Sequence, residues 1–203
     1  MLEGLDAVEW GSVEHAFGAA IDIPSLLRAL RSDSREDRDS AFENLFGNIV
    51  HQGTVYDATP LAVPFIIELL RAHDALDAED LVLLLASIAE GRGYLEVHLK
   101  LQDRQFWEGV LGRKGTNVAA QLDRERETVQ RVRNAVRPGL DLLLPFLSKG
   151  SKETRLTVAS ALANFRERAV EFVSVLEEAL SGENDSEVRA QIIESLEVLR
   201  GSG

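Results

Sequence analysis

The sequence contains no cysteine. Disulfides, thiolate metal sites and a cysteine nucleophile are thereby excluded, and the composition fits a reducing, cytoplasmic compartment. Long apolar runs are also missing. The longest, residues 81–86, falls far short of the about 20 residues that a membrane-spanning helix needs, so no membrane contact is expected. The opening MLEGLDAVEW lacks the basic segment and apolar core of a secretion signal. Histidine is scarce and dispersed. His15, His51, His73 and His98 show neither HxxxH nor HExxH spacing, and none stands in a recognisable relation to a nucleophile. No catalytic residue, metal or cofactor is expected, and the chain reads as a non-enzyme.

What is present is a chain of 203 residues, 45% hydrophobic and 28% charged, with a net charge of −12. That is enough for one domain with a sizeable core, expected over residues 1–200, with GSG (201–203) as a tail. The charge is uneven. Residues 91–137 carry ten Lys/Arg against six Asp/Glu, an excess of four positive charges, which leaves −16 for the remainder. An acidic surface repels nucleic acid and favours a basic partner.

An internal repeat organises the chain. Arg38, Arg155 and Arg189 are each followed by apolar residues at +3, +4 and +7: Ala41, Phe42 and Leu45; Val158, Ala159 and Leu162; Ile192, Ile193 and Leu196. This spacing lays one apolar stripe along a helix. Leu81, Leu84, Leu85 and Ile88 repeat the stripe without the arginine. A second apolar helix precedes each: IPSLLRAL (23–30), VPFIIELL (63–70), LDLLLPFL (140–147) and VSVLEEAL (173–180). Their equivalent leucines, Leu30, Leu70, Leu147 and Leu180, lie 40, 77 and 33 residues apart, so the middle interval holds an insertion. Helix pairs recurring at this period predict an all-α fold, an α-solenoid of four to five hairpins with an irregular insertion at 91–118. Ser34, Ser151 and Asp185 or Ser186 stand where helix caps belong, with Asp37 placed to complete a capping box. Pro24 and Pro64 are expected in first turns, and Pro145 is expected to kink its helix.

Paired helices with a capped acidic turn, an arginine and then the stripe resemble HEAT repeats. More narrowly, WGSVEHAFGAAIDIPSLLRAL and HQGTVYDATPLAVPFIIELL resemble a group of bacterial HEAT-like repeat proteins. The resemblance implies a fold and a bacterial origin, and no reaction. It also implies that the repeated arginines pair with acidic residues of adjoining repeats. Other HEAT-like proteins hold DNA in a basic groove, act as glycosylases or attach bilins. The net charge argues against nucleic acid, and no residue beyond the repeat points to a tetrapyrrole.

Three stretches offer recognition chemistry. HQGTVY (51–56) places His51, Gln52 and Tyr56 around Gly53. It reads either as a rim recognition loop or as a connector in which His51 ends a helix, Gly53 makes the turn and Tyr56 packs down. WGSVEHAFGAA (10–20) supplies Trp10, His15 and Phe17, either an aromatic patch or, for Trp10 and Phe17, a cap on the end of the core. The insertion brings Arg92, Tyr94, Arg104, Phe106, Trp107, Arg113 and Lys114 together. Exposed arginine with aromatic residues is the composition of interface hot spots. The competing reading buries Phe106 and Trp107 beneath a folded-over loop. GRKGTN is not a phosphate-binding P-loop, because its lysine precedes glycine. Residues 121–139 predict a long helix whose interleaved charges pair among themselves.

The expected function is therefore a protein–protein interaction module, in finer form an acidic inhibitor or immunity-type protein that binds a basic partner. The expected contact residues are His51, Gln52, Tyr56, Arg92, Tyr94, Arg104, Trp107, Arg113 and Lys114. The alternative is nucleic-acid binding through the basic 91–137 segment.

Overall fold

A computed structural model describes residues 2–72 and 77–201. Most of the chain is helical, and its only strands among the described residues form two two-stranded hairpins. The fold is an all-α solenoid, in which helices pair and the pairs stack. The chain divides into two compact units, residues 1–65 with 91–135, and residues 66–90 with 136–203. His73, one of the dispersed histidines, lies outside the described residues.

The first unit opens with 3-10 turns at Leu5–Ala7 and Trp10–Ser12, then strands β1 (Glu14–His15) and β2 (Gly18–Ala19). Helices α1 (Ile23–Ala29) and α2 (Arg35–Ile49) form the first pair. Strands β3 (Val50–His51) and β4 (Thr54–Val55) follow, then α3 (Thr59–Arg71), whose residues divide between the units. Helix α4 (Ala78–Glu90) belongs to the second unit. The chain returns to the first unit with α5 (Tyr94–His98), α6 (Arg104–Arg113) and α7 (Val118–Val136). The second unit continues with α8 (Leu140–Leu143), α9 (Phe146–Lys149), α10 (Lys152–Leu162), α11 (Ala169–Gly182) and α12 (Ser186–Arg200).

The second unit shows why the repeat exists. Helices α4, α10 and α12 pack in succession as one layer, with α8, α9 and α11 against them. No pair buries its own stripe, so each stripe closes against the next pair. Leu84, Leu85, Ile88, Val158, Ala159, Leu162 and Ile192 are fully buried. Ile193 departs from the pattern at 45% exposure. The equivalent Ala159 is fully buried on α10, which packs against both α4 and α12.

The three repeated arginines cap turns. Arg38 donates to the Ser32 and Asp33 carbonyls, Arg155 to Gly150 and Arg189 to Leu180 and Glu183, at 2.8–3.2 Å. Each guanidinium thus satisfies carbonyls left over where its own hairpin turns. The expected pairing with an adjoining repeat is seen for Arg155, whose Nε lies 2.6 Å from Glu183 Oε2.

The caps form at Ser34, Ser151 and Asp185, whose oxygens accept from the Asp37, Thr154 and Val188 amides. The capping box does not close as expected, since the Asp37 carboxylate accepts from the Ser32 hydroxyl instead. Pro145 separates α8 from α9. Pro64 lies inside α3, not in its first turn, because the helix starts earlier, with Pro60 at its second position. An N–H at residue 64 would point at the Pro60 carbonyl, so that bond of the ladder is missing. The insertion is more regular than its glycines imply. Asp103 caps α6 by accepting from the Phe106 amide at 2.8 Å, and Gly109 and Gly112 lie within that helix.

Candidate protein-interaction surface

Two candidate stretches far apart in sequence meet in the first unit. HQGTVY forms the hairpin β3–β4, with Val50 opposite Val55 and His51 opposite Thr54. Its two turn residues, Gln52 and Gly53, have φ of 51° and 77°. Positive φ at both positions is the signature of a type I′ turn, whose twist suits a two-residue hairpin. His51 therefore sits in a strand and not at a helix end, since α2 stops at Ile49. Arg92 then adds its backbone to the hairpin. Its N–H donates to the Gly53 carbonyl and its carbonyl accepts from the Val55 amide, both at 3.0 Å. The start of the insertion is thereby fixed beside the hairpin, with the Arg92 side chain exposed.

His51 and Tyr56 are committed locally. The His51 ring meets Phe17 edge-on at 5.2 Å. The Thr54 hydroxyl donates to the His51 carbonyl at 2.7 Å, so the Tyr56 hydroxyl is the donor in its 2.8 Å bond to Thr54. Burial pushes the Tyr56 phenol above its usual range, the Thr54 bond opposes this, and the fields of Tyr94 and Glu125 add to it. Gln52 stays exposed at the turn.

Residues 10–20 separate into core and surface. Trp10 is buried, with Nε1 donating to the Leu5 carbonyl at 2.9 Å. Phe17, expected to share the capping role, is 69% exposed, because its hairpin turns the ring outward onto His51. His15 is buried in a network that sequence reasoning missed. Its Nδ1 accepts from the Phe17 amide at 3.0 Å, so Nε2 carries the hydrogen and donates to Asp22 at 3.0 Å. The other Asp22 oxygen accepts from Asn48 at 2.7 Å.

The insertion carries an aromatic cluster. Tyr94 stacks on His98 with centroids 3.9 Å apart, and Trp107 meets Tyr94, His98 and Phe106 edge-on at 5.3–6.3 Å. Trp107 packs against the local core of Leu95, Leu111 and Val118, whereas Phe106 is half-exposed. The two readings of this pair thus divide between the two residues. Arg104 pairs with Glu108 at 3.4 Å, one turn along α6. Arg113 and Lys114 are exposed.

Between α6, α7 and the start of α5 lies a cleft of about 330 Å³, lined by Tyr94, Trp107, Leu111, Lys114, Arg124 and Glu125 among others. Glu125 and Gln121 belong to its wall, although in sequence they read as part of a solvated, self-paired helix face. Glu125 Oε2 accepts from the Leu95 amide at 2.8 Å, satisfying an orphan donor of α5, and Oε1 accepts from Gln121 at 2.9 Å. Arg124 donates to Gln121 and Thr116 at 2.9 and 2.8 Å. Self-pairing does hold for Arg126 with Asp123, at 2.8 Å, while Arg131 reaches back to Asp57. The i, i+4 spacing of Gln121 and Glu125 was the available signal; their target thirty residues earlier was not.

No helix among the described residues is long and apolar enough to cross a membrane, and these residues hold no group of three or more His, Asp and Glu able to bind a metal ion. No protein-family model matches the chain, and no curated protein matches it in sequence. In structure it is similar to an engineered protein, at 20% identity and a TM-score of 0.39, over 91% of this chain and 81% of the other. It is also similar to a designed armadillo repeat protein, at 19% identity and a TM-score of 0.34, over 89% of this chain and 83% of the other.

Proposed function

We propose that the chain is a non-enzymatic protein–protein interaction module whose contact face combines the β3–β4 hairpin with the insertion. The observation that supports this reading is the backbone pairing of Arg92 with Gly53 and Val55, which sets the start of the insertion beside the hairpin. Gln52, Arg92, Tyr94, Phe106, Arg113 and Lys114 of these two stretches are exposed. Aromatic side chains bury large area at low conformational cost and arginine adds directed hydrogen bonds, which is what binding anchors require.

In its finer form the module is an acidic inhibitor of the immunity type. The −16 outside residues 91–137 would steer a basic partner, and the hairpin–insertion face would anchor it. Nucleic-acid binding by the same segment is less well supported, because Arg104, Arg126 and Arg131 are already matched to carboxylates. Affinity capture from the source lysate, with and without nuclease, tests the choice. A single protein recovered in near-equal amount and indifferent to nuclease is the expected result. Partners lost on nuclease treatment overturn it.

A further inference from the structure

The cleft beside α6 has two opposed walls. Tyr94, Leu95, Trp107, Val110 and Leu111 make one side apolar and aromatic. The other is a hydrogen-bonded chain running from Thr116 through Arg124 and Gln121 to Glu125, and from there to the Leu95 amide. That chain holds the polar wall in place before anything binds, which lowers the cost of binding.

The positive charge of this cleft is incompletely spent. Arg124 uses one terminal nitrogen, Nη2, for both of its side-chain bonds, which leaves Nε and Nη1 as donors. Lys114 lines the same cleft, and its ammonium has no side-chain partner among the described residues. Glu125, the one carboxylate in the lining, is already taken by Gln121 and the Leu95 amide.

We propose that this cleft docks a peptide segment of the partner in which a carboxylate stands next to an apolar or aromatic side chain. The apolar side chain packs on the side of the cleft lined by Tyr94, Trp107 and Val110, and the carboxylate takes Lys114 and the remaining Arg124 donors. A volume of about 330 Å³ suits one or two side chains. Beside Trp107, Phe106 is 49% exposed, and a running chain covers it where a small molecule in the cleft does not. Two unspent cations beside the Glu125 carboxylate suit one carboxylate better than a run of phosphates. The proposal rests on the interaction-module reading and deepens it.

The test is fluorescence anisotropy on the full chain with a labelled ten-residue peptide carrying a central Glu–Phe pair. The same peptide with Gln–Phe, the amidated peptide and a ten-nucleotide oligothymidine serve as comparisons. Saturable binding weakened at least tenfold by Lys114→Glu, and equally by the Gln–Phe replacement, is expected. Amidation separates a side-chain carboxylate from a captured C-terminus: whichever carboxylate is needed, its removal must abolish the effect of Lys114→Glu. No binding at millimolar peptide, indifference to Lys114→Glu, or tighter binding of the oligonucleotide overturns the proposal. Lys114 is exposed at the end of α6, so the variant is expected to fold, with circular dichroism as the check. Affinity capture with Lys114→Glu separates the two failures. A partner still recovered in full removes the cleft and leaves the module; no partner with either protein removes both.

Discussion

Arg155 leaves its own hairpin to meet Glu183 in the next, Nε to Oε2 at 2.6 Å, with the two side chains 19% and 9% exposed. The same carboxylate accepts from the Asn184 and Asp185 amides at 2.8 Å, so one side chain orders the turn before α12 and fastens it to α10. Glu79 has the matching role at the preceding turn. It accepts from the Ser151 amide at 2.5 Å and the Thr154 hydroxyl at 2.8 Å, tying α4 to the start of α10. Stacking by apolar stripes leaves freedom to slide, and these carboxylates fix the register.

Both carboxyls are held below their ordinary value of 4.5, Glu79 chiefly by the Ser151 amide and Glu183 chiefly by the Asp185 amide. A depressed folded pKa gives stability that is complete above the unfolded value and is lost as pH falls through the folded one. Thermal melts between pH 7 and pH 3 should therefore show the second unit weakening below about pH 4.5. Glu183→Gln should cost about 1–3 kcal/mol at pH 7, typical of losing charged hydrogen bonds, and should flatten the acid decline. Combined with Arg155→Ala, its coupling should be about 0.5–3 kcal/mol. Additive single effects, or an unchanged acid slope, would show that the pair does not hold the register.

The stripes were legible because helical periodicity is local: Val158, Ala159 and Leu162 declare a face without reference to distant residues. The caps at Ser151 and Asp185 were legible for the same reason. The face joining the hairpin to Arg92 was not, since it depends on where the chain comes back after α4. Glu125 shows the limit most clearly. On its own helix it reads as one charge in an alternating series, and only the return of α5 gives it the Leu95 amide. Phe17 reads as core by its type, whereas a two-residue hairpin turns it outward.

Gly93 is where that return is tightest. A Cβ there would lie 2.6 Å from Glu125 Oε2 and 2.8 Å from its Cβ. Its φ of −69° suits alanine, so the obstacle is space and not backbone strain. Gly93→Ala should push Glu125 off the Leu95 amide and cost about 1–3 kcal/mol, as overpacking does. Hydrogen exchange at Leu95 should accelerate. Gly109→Ala is the control: nothing lies within 4 Å of its added Cβ, in mid-helix. It should stabilise by about 0.5–1 kcal/mol. Equal effects of the two substitutions would remove Glu125 from its assigned place.

Trp107 and its charged neighbours make separable contributions. The indole packs on Leu95, Leu111 and Val118, with Leu99 and Leu122 at the edge, so Trp107→Ala opens a cavity in the local core. Half-burial puts its cost at or below the lower end of the about 3–5 kcal/mol seen for large aromatic truncations. Arg113 and Lys114 are exposed at the end of α6 and should change stability by less than about 0.5 kcal/mol when replaced by alanine. Denaturant melts of the single and paired variants measure this directly. The pair Arg113→Ala and Lys114→Ala should then weaken partner capture at unchanged stability, while Trp107→Ala weakens both together. If Trp107→Ala leaves the melt unmoved, the indole belongs wholly to the contact face, and the cluster beneath it is not the support on which that face is built.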